Sequence, residues 1–213
     1  MRTLIAVLLL ASACSSKESA SASAQKPALT GPQVPAPAIP AHSKWSIDSE
    51  NSSASFVCKH VFSNVRGMIH QPSGTVVLDE ANPASSSVNA TLAVGTIGTG
   101  VPERDTHLKS ADFFDAAQFP NITFVSKTFS AASGSFTVSG DLTMHGVTKP
   151  VTLNVVASQP FNHVGGIRRG IEATTTVNRR DFGVLWDFPG EGTGVVVGDT
   201  IQITIDLELV LES

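Results

Sequence analysis

The sequence predicts an all-β, antiparallel fold, either a sandwich or a barrel. Three observations predict it. Apolar and polar residues alternate with a period of two in run after run; Gly, Pro, Asn and Ser separate the runs; and one charge-dense stretch interrupts them with the spacing of a short helix. The clearest run sets Ile201, Ile203, Ile205, Leu207, Leu209 and Leu211 against Gln202, Thr204, Asp206, Glu208 and Glu212, with Val210 the exception. Such a run is a strand with one buried face.

Taken in order, the chain begins with Arg2, an apolar run from Leu4 to Leu10 and the small residues Ala11, Ser12 and Ala13 before Cys14. The run is too short to span a bilayer and reads as a secretion signal over residues 1–13. Small residues directly before Cys14 form a lipobox-like site, at which cleavage leaves a lipidated N-terminal cysteine. Plain cleavage with release of the chain is the alternative. Ser15 after that cysteine, rather than Asp, favours outer-membrane sorting, so the expected location is the bacterial cell envelope, facing the periplasm.

Residues 14–43 are rich in Ser, Ala and then Pro, with no aromatic residue. Such a segment buries too little to fold and reads as a tether. Residues 44–213 suffice for one hydrophobic core and are too few for two ordinary domains.

Within that domain the alternation runs through Ala54/Phe56/Cys58/His60, Val88/Ala90/Leu92/Val94, Phe136/Val138/Gly140/Leu142, Val151/Leu153/Val155/Ala157 and Ile171/Ala173/Thr175/Val177. Between them, Glu103 to Ala117 places Leu108 and Phe113/Phe114 among charges, ahead of Pro120. A short helical excursion is expected there.

A net charge of −4, with Lys and Arg scattered, argues against a nucleic-acid partner. Once Cys14 carries lipid, Cys58 has no partner for a disulfide and reads as a buried, inert thiol. No pair of histidines or of carboxylates sits at the i, i+4 spacing of a helix-borne site, and His60, His70, His107, His145 and His163 read as isolated residues, so no metal site and no cofactor is expected. No G-x-S-x-G elbow or phosphate-cradling loop occurs.

Three separated motifs, RDTHLKSADFFD from Arg104, GDLTMHGVTKPVTL from Gly140 and NRRDFGV from Asn178, occur in an order that resembles the YceI-like family of periplasmic polyisoprenoid-binding proteins. The resemblance covers roughly Lys44 to the C-terminus. It implies a lipocalin-like, antiparallel up-and-down barrel of eight strands, with the helical excursion near 103–117 and a tunnel holding an isoprenoid-type lipid, a polyprenyl chain or a quinone tail. The segment after Arg66 and Gly67 departs from the family's aromatic-rich continuation and reads Met68-Ile69-His70-Gln71-Pro72.

Small inward residues such as Ala54, Ala90, Ala173 and Thr175 would leave room for a ligand in an eight-stranded barrel. On residues alone a filled core is favoured, because interiors pack densely. The family motifs supply the charged positions Arg104, Asp105, His107, Arg179 and Asp181. Either Arg104 and Arg179 donate to an anionic or carbonyl head group at the tunnel mouth, or the charged positions form an Arg–Asp network fixing the helix to the barrel.

Phe56, Phe113, Phe114, Phe124, Leu142, Phe182 and Trp186 are the tunnel-lining candidates, with ordinary core as the alternative. Trp45 reads as a plug or edge-packing residue. The expected function is binding and carriage, storage or buffering of the lipid without chemistry on it. The alternative is a filled barrel serving as an interaction or stress-protection module. An enzyme using His107 with Asp105 is disfavoured, because sequence neighbours on a helix point to different faces. Expected partners are the lipid and, through Cys14, a membrane; the oligomeric state stays open, a dimer among the options.

Overall fold

Period-two runs become strands, and the strands close into a ring. The computed structural model describes residues 36–132, 135–187 and 197–213. The signal segment, Cys14 and most of the tether lie outside the described residues. Twelve strand segments run in order: β1 His42–Ile47, β2 Ser53–His60, β3 Ser63–His70, β4 Ser73–Asp79, β5 Ser87–Ala93, β6 Ile97–Gly98, β7 Asn121–Ala132, β8 Ser135–Met144, β9 Val147–Ala157, β10 Phe161–His163, β11 Gly166–Asn178 and β12 Val197–Leu211. The first strand starts inside the expected tether, because His42 and Ser43 pair with Asp79 and Leu78 and the Trp45 indole donates to Ser43 Oγ at 2.9 Å.

The ladder runs β10-β11-β9-β8-β7-β5-β4-β1-β12-β2-β3-β6, and a further β11–β12 pairing closes it. Three staves of the barrel are broken in two. β1 and β2 both pair with β12, β4 and β3 pair with them in turn, and β5 and β6 pair with β4 and β3. Counting β1/β2, β3/β4 and β5/β6 as one stave each and setting aside the short β10, the described residues form a closed, antiparallel, up-and-down barrel of eight staves. β12 is the seam: Ile201–Asp206 meets β2, Leu209–Leu211 meets β1, and Thr200–Val210 meets β11 on the other side.

The helical excursion is α1, Pro102–Lys109, which joins β6 to the turns before β7. Pro102 takes the first helical position, where its missing N–H is no loss. Glu103 and Asp105 in the first turn and His107 and Lys109 in the last match the helix dipole. Leu108 anchors α1 to a cluster of Ile69, Val94, Ile97, Ile122, Met144, Val177 and Phe182, which closes part of this end. We call this the upper end; the β4–β5, β7–β8 and β9–β10–β11 connections form the lower one. Trp45 is fully buried with Ile47, Val76 and Leu209.

Gly140 and Gly67 are where large rings lie directly against the backbone of the sheet. A Cβ at Gly140 would fall 2.7 Å from Phe124 Cζ and 2.4 Å from the Val125 carbonyl, so only glycine fits that approach.

Candidate functional site

The interior is not filled. Inward residues from all eight staves surround a cavity of about 870 Å³, contrary to the dense core that packing considerations alone favour. The reason is the mixture of side chains on the inner face: Ala54, Ala90, Ala173 and Thr175 are too short to meet across the barrel, so Ile201, Ile203 and Ile205 point inward yet stay only half-buried. The cavity runs the length of the barrel, from Arg104, His107 and Trp186 at the upper end to Glu80, Gln159 and Arg169 at the lower.

Phe56, Phe113, Phe114, Phe124, Leu142 and Trp186 all line it. Phe182 does not. It is 2 % exposed within the upper cluster, because the turn Arg179–Phe182 ends at Gly183 with φ 77° and folds the ring outside the cavity wall.

The charged motif residues separate into two groups. Arg104 lines the cavity; its Nε donates to Thr99 Oγ1 at 2.7 Å and one Nη2 hydrogen to the Thr99 carbonyl at 3.3 Å. Its remaining N–H groups have no partner among the described residues. Thr99 in turn donates its backbone N–H (2.7 Å) and hydroxyl (2.5 Å) to Asp105 Oδ1, and the hydroxyl bond holds that carboxyl below the usual carboxylate range. Asp105 therefore orders the approach to α1 and does not face the cavity. His107 does face it, with Nε2 2.8 Å from Asp112 Oδ2 and its ring edge-on to Phe113 and Trp186, each 5.0 Å away. Its carboxylate partner is Asp112, not Asp105.

Arg179 is 4 % exposed, and all five of its N–H donors are taken. Nε donates to the Gly198 carbonyl at 3.1 Å, Nη1 to the Val184 and Trp186 carbonyls at 2.8 and 2.9 Å, and Nη2 to Asp187 Oδ1 and the Val197 carbonyl at 3.0 and 3.1 Å. Arg180 shares the acidic partners: Nε reaches Asp199 Oδ1 at 2.6 Å and Nη2 bonds Asp187 Oδ2. These bonds raise the Arg180 pKa, Asp199 contributing most, and lower that of Asp187, Arg180 contributing most.

An Arg–Asp network does form, but it ties the start of β12 to the Val184–Asp187 segment rather than α1 to the barrel. Asp181 is exposed and takes no part in it. The two motifs meet at Trp186, whose carbonyl accepts from Arg179 while its ring packs on His107.

Sequence reasoning missed the acidic partners of Arg179 and an ion pair at the lower end. Asp187 and Asp199 sit in segments without a motif. Arg180, beside Arg179, is the one local signal that could have found them. At the lower end Arg169 Nη1 donates to Glu80 Oε1 at 2.9 Å and Nε to the Ser158 carbonyl at 2.9 Å, so an ion pair spans the mouth between β11 and the β4–β5 connection. Cys58 lines the cavity with its Sγ 3.4 Å from the Gly198 carbonyl, and burial pushes its thiol pKa up. Among the described residues no cluster of His, Cys, Asp or Glu is arranged to hold a metal ion.

The family model of the YceI-like domain matches residues 45–209. The chain belongs to the YceI-like family. Protein YceI of Escherichia coli O157:H7 is 37% identical over 147 residues, 67% of this chain and 77% of that protein. Protein YceI of Salmonella arizonae is 36% identical over 148 residues, covering 68% and 78%. Among solved structures, Burkholderia cenocepacia BcnA matches with a TM-score of 0.66 at 27% identity, over 76% of this chain and 98% of that one. A polyisoprenoid-binding domain from Saccharophagus degradans, described as implicated in plant cell wall breakdown, shares the YceI-like fold with a TM-score of 0.57 at 17% identity, over 79% and 98%.

Proposed function

We propose that this YceI-like barrel binds one isoprenoid-type lipid, a polyprenyl chain or a quinone tail, along its axis. In this reading it carries, stores or buffers that lipid in the periplasm while tethered to an envelope membrane through Cys14, and performs no chemistry on it. The observation that carries the reading is a single apolar cavity of about 870 Å³ running between the two ends of the barrel. That volume lies towards the top of the range of about 300–1,000 Å³ for small-molecule sites. An elongated apolar tail gains about 25 cal/mol for each Å² it removes from water there.

The polarity of the ends supports an orientation. At the upper mouth Arg104 keeps N–H groups free to donate to a carbonyl or anionic head group, whereas Arg179 has none left. Arg104 is thus the head-group donor in this reading, with His107 and Trp186 beside it; Arg179 is structural.

The test is native mass spectrometry of the protein purified from a bacterial membrane fraction, with organic extraction of what it holds. One polyprenyl or quinone species per chain is expected. A folded barrel that is empty by both measurements would sink the proposal.

A further inference from the structure

Among the described residues the most exposed large apolar side chain is Phe62, 97% exposed at the tip of the β2–β3 hairpin, next to Val61 at 42%. A phenylalanine left in water on a projecting turn, beside a second exposed apolar residue, contributes nothing to the core of the described residues and is free to bury its ring in an external apolar layer. The same hairpin forms a wall of the upper mouth: Phe56, Cys58, His60 and Val65 line the cavity directly below the tip.

Charge says what kind of surface fits. From Ser53 to His70 the hairpin carries Lys59, Arg66, His60 and His70 and no carboxylate, in a chain whose net charge is −4. Lys59 and Arg66 are exposed and form no ion pair among the described residues. Among the described residues the lower end offers no such combination. Its exposed tip residue Val164, 89% exposed, stands near Arg168 and Arg169, but these are paired with Asp48, Glu208 and Glu80. An apolar tip flanked by unpaired cations matches a bilayer interface, where the ring sits at the headgroup level and the cations meet anionic lipid.

We propose that the Val61–Phe62 tip enters the headgroup layer of an anionic bilayer and seats the upper mouth of the barrel on the membrane. This rests on the lipid-carrier reading only for its purpose: a tail leaving the bilayer through a seated mouth need not cross open water.

The experiment uses the full chain with Phe62→Trp or, as the opposite-end control, Val164→Trp. Each is read as a difference from the parent protein on phosphatidylethanolamine/phosphatidylglycerol vesicles carrying a doxyl-labelled lipid. Phe62→Trp emission is expected to shift to the blue and to be quenched several-fold more strongly than that of Val164→Trp. Because both variants share any tether, equal quenching at the two positions overturns the proposal. So does no quenching at position 62, or a blue shift that needs no vesicles and grows with protein concentration, which would bury the tip against a second copy. Native mass spectrometry of the same preparations separates the two readings. A quenched tip on an empty barrel supports docking and sinks the carrier; a lipid-filled barrel with an unquenched tip does the reverse.

Discussion

The ring of Phe56 lies where a side chain on Gly67 would have to go. A Cβ at Gly67 would fall 2.3 Å from Phe56 Cζ and 2.9 Å from Thr99 Cγ2. Since Phe56 lines the cavity, the bare glycine opposite it sets the width of the tunnel near the upper mouth. Gly67→Ala is expected to tip the ring into the cavity, at about 1–3 kcal/mol of stability. Lipid occupancy by native mass spectrometry should fall together with the thermal midpoint; unchanged occupancy would show that the ring has room elsewhere.

The two motif arginines predict opposite phenotypes. Removing Arg179 leaves four carbonyls and two carboxylates short of a donor in a nearly buried site, so Arg179→Met should destabilise by about 3–5 kcal/mol in urea unfolding. Arg104→Gln gives up two bonds to one half-buried threonine. It should cost less than about 1 kcal/mol while weakening retention of any lipid with a polar head. Equal stability loss in the two variants would contradict the division of roles.

Acid should loosen the barrel at its lower flank. Asp48 has its pKa lowered chiefly by the bond from Arg168, 2.5 Å away, and then by Asn51. A depressed folded pKa means that the contribution to stability is fully present above the unfolded carboxylate value of about 4 and is lost as pH falls through the lower folded value. Urea midpoints measured from neutral pH downward should therefore decline in that acid window. Asp48→Asn should lower the neutral value and flatten the decline; parallel curves for variant and parent would remove Asp48 from the account.

The Arg169–Glu80 pair across the lower mouth predicts a kinetic effect with little thermodynamic one. Glu80 is half-exposed, so Glu80→Gln should change stability by less than about 1 kcal/mol. Dissociation of a fluorescent prenyl probe should nonetheless speed up if the pair obstructs that end, and an unchanged off-rate would assign all traffic to the upper mouth.

The staves were legible because period-two alternation is local. Ile171, Ala173, Thr175 and Val177 declare their inner face within one run, and all four reach the cavity wall. Charge density and the spacing of Leu108 likewise betrayed α1. The hollow interior was not legible, because its volume depends on which small residues the ring brings together, as it brings Ala54 and Ala173, far apart in sequence, to either side of Ile205. Contacts such as Glu80–Arg169 and Asp48–Arg168 join segments with no shared motif, and adjacency in a motif misassigned Asp181 and Phe182, which a single turn ending in a left-handed glycine carries away from the tunnel.

The seam at β12 also dictates an order of events during folding. Its residues are matched at once to β11, the strand just before it in the chain, and to β1 and β2, more than a hundred residues earlier. Hairpins such as β7–β8 and β8–β9 can form as soon as their own residues meet, whereas the ring has to wait for its two ends to find each other. Closing so long a loop is the slow part of assembling a sheet of this topology. Until it happens, the two long free edges and the apolar inner face stand open to any passing strand. The hazard for this protein is therefore not the finished barrel but the unclosed ribbon that precedes it, and a chaperone that shields edges would act at that stage.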